Sequence, residues 1–160
     1  MNQQVYVVGV VSDTHGLLRP EIAAHFAGVQ LILHAGDVGG HDVLAALSKL
    51  APVEAVYGNV DDPHDPSLAR ERVVEIGGVT IHVSHGHELG SPTPERALLH
   101  YAGDVVIFGH THRPVILRGE DGRIAFNPGA AGPRRFDLQP SIARLTIADG
   151  AADVEIISLA

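Results

Sequence analysis

The sequence predicts an α/β protein in which two mixed β-sheets pack face to face with helices on the outside, a four-layer αββα sandwich. Three observations predict it. Valine-rich strands alternate with helical stretches through the first third of the 160-residue chain, the pattern of β-α-β units feeding a parallel sheet. Strand pairs around tight turns dominate the rest. No linker, repeat or low-complexity tract interrupts the chain, so residues 1–160 read as one domain long enough to bury a sizeable core.

Residues 4–11, QVYVVGVV, are apolar nearly throughout, as in a strand covered on both faces. Pro20 is expected to open a short helix as its first helical residue, running to about residue 28. QLILH at 30–34 is the second strand, the 41–50 segment repeats its apolar residues at helical spacing, and 52–57 is the third strand. Residues 58–69 are polar and proline-punctuated, which marks a loop. Strands at 70–76 and 79–84 flank Gly77-Gly78, a tight hairpin. In TPERALLHYA, residues 93–102, Thr93 is the expected N-cap, Pro94 the first helical residue, and Glu95 sits in the first turn. Another strand covers 104–108. Two hairpins close the chain, 115–118 with 123–126 and 141–147 with 153–159.

Composition narrows the function classes. Apolar residues make up 45% and charged ones 19%, an ordinary globular balance. No apolar run spans a bilayer, and the start MNQQVYVVGVV has neither a basic n-region nor a cleavage-site pattern, so a cytoplasmic protein without membrane attachment is expected. Zero cysteines exclude disulfides and thiolate metal sites. A formal charge of −8 without any Lys/Arg-rich run argues against long nucleic acid as a partner. The 11 histidines are many for this length, and they are dispersed.

The carboxyl end of each strand is more informative than the strand itself. The first ends in SDTHG, with Asp13 and His15; the second in HAGDVG, with Asp37; the third in YGNVDD, with Asn59 and Asp61. The strand at 79–84 ends in SHGHE, with His85 and His87, and that at 104–108 in GHTHR, with His110 and His112. In open α/β sheets, ligands bind outside the carboxyl ends of the strands. Carboxylate, amide and imidazole are the donors preferred by first-row divalent metals. Seven donors exceed one tetrahedral ion, whereas two ions sharing a carboxylate would use them all.

The ordered set D-x-H, G-D, G-N, H-G-H and G-H-x-H resembles the calcineurin-like metallophosphoesterase superfamily, over roughly residues 8–135. SDTHG, HAGD, GNVD, GHTHRP and NPG resemble its small prokaryotic phosphodiesterase branch, which includes the retromer scaffold subunit. The resemblance implies that Asp13, His15, Asp37 and His112 hold one metal, and that Asp37, Asn59, His85 and His110 hold the second, with Asp37 bridging. Manganese is the first expectation, with iron, nickel, cobalt or zinc as alternatives.

Two such ions, about 3.5–4 Å apart, clamp a phosphoryl group and generate hydroxide at neutral pH. With five neutral donors among the seven, the site stays positive inside an acidic protein and attracts phosphate by itself. Many superfamily phosphatases carry G-N-H, whose histidine protonates the leaving group; here Val60 stands there and cannot. The expected reaction is therefore hydrolysis of a small or nucleotide-like phosphodiester. His87, Asp61 and His64 are the alternative proton sources, so Asp37, His87 and Asp61 form the expected catalytic set.

The alternatives are a monoesterase or nuclease of the same superfamily, or a non-catalytic scaffold. The branch includes dimers and tetramers, so a homo-oligomer is an open expectation. His34 reads equally as a satisfied core histidine or as an orienting partner of a ligand. His25, His41, His82 and His100 read as surface or helix-face residues. Arg134 reads as a phosphate contact by resemblance and as a loop ion pair by default.

Overall fold

A computed structural model describes residues 4–135 and 137–159. Its elements are β1 (Val5–Val11), α1 (Glu21–His25), β2 (Leu31–His34), α2 (His41–Ser48), β3 (Val53–Ala55), β4 (Glu71–Ile76), β5 (Val79–Ser84), α3 (Pro94–His100), β6 (Val105–Ile107), β7 (Val115–Arg118), β8 (Ile124–Asn127), β9 (Ser141–Ala148) and β10 (Ala151–Ser158). They build two mixed five-stranded sheets, ordered β10-β9-β1-β2-β3 and β4-β5-β6-β8-β7.

Side-chain alternation along β1 shows how the layers form. Val8 and Val10 face the second sheet and join Leu33, Ile81, Val83, Val105, Ile107, Phe126 and Leu145 in the core between the sheets. Val11 faces the other way, with Ile22 and Phe26 of the α1 region and Val43 and Leu47 of α2. Gly9 is a glycine for a packing reason, because a Cβ there would come within 2.9 Å of the Phe26 ring. Across the molecule, Ala97 and Tyr101 cover Val106, Phe108 and Ala125 on the outer face of the second sheet. Helices thus flank both sheets, as the sequence predicts. No helix among the described residues is long and apolar enough to cross a membrane.

Strand direction decides where the site lies. β1, β2 and β3 are parallel, so their carboxyl ends share one edge. β5, β6 and β8 are parallel in the other sheet. The final hairpin returns to the first sheet, where β9 runs antiparallel to the free side of β1.

Several boundaries differ from expectation. Pro20 precedes α1 as its cap, and the helix ends at His25. β3 stops at Ala55, and Val56 forms a lone bridge to Ala69. α3 keeps its expected cap, with Thr93 Oγ1 accepting from Arg96 N at 3.2 Å. The last hairpin is tighter than expected: Ala148 pairs with Ala151 across Asp149 and Gly150, at φ 54° and 73°. Two positive φ angles match the twist of a two-residue turn, so β10 starts two residues earlier. His82 is corrected most clearly. It is buried, stacked on Tyr101 at 4.4 Å and bonded to Glu71, because position 82 faces α3 rather than solvent.

Candidate metal centre

Three loops of the first sheet and two of the second bring the candidate ligands together. Asp13, His15 and His112 offer donor atoms within 4.8 Å of one another, and so do Asp37, His85 and His110. Asp37 Oδ2 lies between the groups, 3.7 Å from His15 Nε2 and 3.3 Å from His85 Nε2. Asn59 Oδ1 completes the second group at 3.1 Å from both His85 Nε2 and His110 Nδ1.

The local backbone is built for this convergence. Among the described residues, Asp13, His15, Asp37, His110 and His112 are non-glycine residues with φ between 46° and 73°. That region is costly for most side chains and tolerated best by Asp, Asn and His. Gly58 allows the loop after β3 to approach the loop after β2; a Cβ there would come within 2.0 Å of Asp37 Oδ1. Gly109 does the same for the β6 loop, where a Cβ would meet Ser12 Oγ at 2.2 Å.

The donor chemistry fits cations. His85 Nδ1 lies 2.8 Å from the Ala35 carbonyl and must donate to it, which turns Nε2 to the site, as a donor when the ring is protonated and as a lone pair when a cation takes that place. Nε2 faces Asn59 Oδ1, Asp37 Oδ2 and, at 3.8 Å, Asp13 Oδ1, which are all acceptors; burial works against a charged ring, but Asp37, Asp13 and the Ala35 carbonyl outweigh it and raise His85. Asp13 Oδ2 is satisfied by Ser12 Oγ and His110 N, but Oδ1 and His15 Nε2 are buried without a hydrogen-bond partner. Acceptors gathered around one point need a positive charge there. Burial would raise the Asp13 carboxyl, yet His112, His15, His85 and Ser12 outweigh it and hold it well below the usual carboxylate range. At Asp37 burial is likewise outweighed, by His85 and the Val60 N–H, and the carboxyl is lowered. Burial and the neighbouring His85 lower His110.

The remaining expected residues take distinct places. Asp61 accepts backbone N–H bonds from Val38, Gly39 and Gly58, so it ties the β2 and β3 loops together; the expectation of a proton source meets a carboxylate engaged at both oxygens. His64 is exposed on the loop, and Arg134 is also exposed. His87 opens a short 3-10 turn, His87–Leu89, with its ring 5.4 Å from that of His85 and 6.3 Å from that of His110.

Supporting residues hold these loops in place. Gly36 N donates to His34 Nδ1, so His34 carries its proton on Nε2 and donates it to Thr14 Oγ1. Thr14 in turn donates to the Val38 carbonyl. This chain braces the loops holding Asp13, His15 and Asp37, and makes His34 both a satisfied core residue and an orienting one. Asn127, fully buried at the end of β8, donates to the Gly109 carbonyl and Thr111 Oγ1, fixing the loop of His110 and His112. Its place before Pro128-Gly129 is its sequence signal.

The chain matches the calcineurin-like phosphoesterase superfamily domain over residues 7–150 and belongs to that superfamily, in which metal dependence is general. It is 40% identical to a probable metallophosphoesterase of Methanothermobacter thermautotrophicus, over 94% of this chain and 91% of that protein. It is 33% identical to phosphodiesterase YfcE of Escherichia coli strain K12, over 74% and 76% of the two chains. The solved structure of vacuolar protein sorting 29 from Cryptosporidium parvum aligns with a TM-score of 0.79 at 21% identity, covering 98% of each chain. That last likeness speaks for the fold alone.

Proposed function

We propose that the chain, as one unit over 1–160, is a dinuclear metal-dependent phosphodiesterase acting on a small diester, with manganese as the working ion. The observation that carries this is the pair of donor groups meeting at Asp37, with Asp13 Oδ1 and His15 Nε2 buried and unpartnered beside them. Asp13, His15, Asp37 and His112 would hold one ion, and Asp37, Asn59, His85 and His110 the other. When bound, the ions supply Lewis acidity to the phosphoryl oxygens and an activated water.

The chain's own residues do the rest. Asp61 and the His34–Thr14 pair hold the ligand loops in register. Val60, 57% exposed next to Asn59, leaves the place of the usual leaving-group histidine apolar, which suits diesters with good leaving groups. His87, its ring 5.4 Å from that of His85, would hydrogen-bond an ester oxygen. A groove of about 350 Å³ runs from Val38 and Val60 past Asp61, Asp62 and Asp65. Its acidic lining favours a diester whose second alcohol carries no extra negative charge. The full donor set favours an enzyme over a scaffold.

Turnover of bis-p-nitrophenyl phosphate should depend on added Mn²⁺, vanish with chelator, and exceed that of p-nitrophenyl phosphate. A preference for the monoester would refute the diesterase assignment, and chelator-resistant turnover would refute the metal.

A further inference from the structure

Behind His87 the structure holds a second, much smaller polar pocket. Ser84, the last residue of β5, is 2% exposed, and its Oγ makes no well-formed hydrogen bond. The Tyr101 hydroxyl beside it donates to Glu88, so its oxygen can take only a loose contact from the Ser84 proton and the acceptor side of Ser84 Oγ stays unpaired. Three residues further on, His87 Nδ1 is also buried and unpartnered. Both residues line one cavity of about 30 Å³, together with Tyr57, Arg70, Gly86, Glu88 and the candidate ligand His85. Buried polar atoms are rarely left unpaired, so two of them on one small cavity call for a ligand. Size limits the choice: a space this small admits water but no larger ligand, and a water needs two to four polar partners.

We infer that one water binds in this cavity and bridges Ser84 Oγ to His87 Nδ1, making Ser84 a positioning residue for the His87 ring. The backbone of the turn is already fixed. Glu88 accepts from Arg70 at 2.5 Å and from Tyr101, whose ring is packed on His82. What the turn leaves free is rotation of the imidazole about its side-chain bonds. A bridge from Nδ1 to β5 removes that freedom and leaves the other ring nitrogen available to an ester.

The kinetic arm of the test rests on the proposed diesterase activity; the crystallographic arm does not. A crystal structure at ~1.5 Å should show a water within about 3.2 Å of both atoms. Absence of density between them overturns the inference whatever the enzyme does. Ser84→Ala should remove the water and lower kcat for bis-p-nitrophenyl phosphate about tenfold, as loss of an orienting partner does, with KM and metal content unchanged. In a His87→Ala background the same substitution should change nothing further. An equal loss in both backgrounds would mark Ser84 as structural only and overturn the positioning role. A wild-type protein that leaves the diester intact would refute the functional reading instead, and the density would still decide the water.

Discussion

Asp37 is the residue on which both donor groups converge, and a single carboxylate oxygen reaches imidazoles on either side of it. Asp37→Asn should reduce Mn²⁺-dependent diester turnover more than about 100-fold, because loss of even an outer partner costs 10–100-fold. Steady-state kinetics with metal content measured in parallel checks this. Val60→His should raise monoester cleavage selectively, since a positioned acid is worth about 10²–10⁴-fold with poor leaving groups; an unchanged ratio of monoester to diester rates would place the proton source elsewhere. His34 gives a pH-dependent stability. Burial pushes it down to about 4 from 6.5, and its Nδ1 must accept from Gly36, so the folded state needs it neutral. The unfolded chain binds the extra proton, so stability is full above about 6.5 and falls as pH drops towards 4, by about 3 kcal/mol in all. Urea midpoints at neutral and acid pH should show a shallower decline for His34→Gln than for the parent. Donor positions such as Asp13 and His112 are visible in the sequence because a polar residue closing an apolar strand seldom has a packing reason. The bracing by Asp61 is not, because it consists of bonds to backbone amides of two loops that only folding brings together.

At the scale of elements, the strands and the α3 cap are legible from local pattern, since a two-residue period and a Thr-Pro start act within a few positions. Partnership is not. Nothing local to β9 says that it adds to β1 rather than to its sequence neighbour β8; the open side of β1 becomes visible only once β2 occupies the other. His82 escapes a sequence reading for the same reason, because the helix that covers it lies after it in the chain. Apposition of the loops after β2 and β3 yields a sharp test. Gly58→Ala would drive a methyl into Asp37, and a misplacement of about 1 Å in a catalytic group costs about 100-fold in rate. Diester turnover should fall by that order while the far-ultraviolet circular dichroism stays that of the parent.

For the molecule as a whole, charge and cations are coupled. The protein carries −8, and Asp13 sits close enough to Asp37 to make its ionisation costlier in the absence of counter-charge. A cation that binds only the folded state stabilises it by about 2.7 kcal/mol at a hundredfold excess over its dissociation constant. Calorimetry should therefore show Mn²⁺ raising Tm by several degrees and chelator reversing the gain. The left-handed turns at Asp13, His15, Asp37, His110 and His112 extend this to the fate of the protein when divalent cations are scarce. Starved of its counter-ions, the rim of the cleft has strain to release and little to oppose the release, so it should peel away before either sheet loosens. Limited digestion of chelated protein should accordingly begin at those turns, which makes metal supply a determinant of the chain's lifetime as well as its rate.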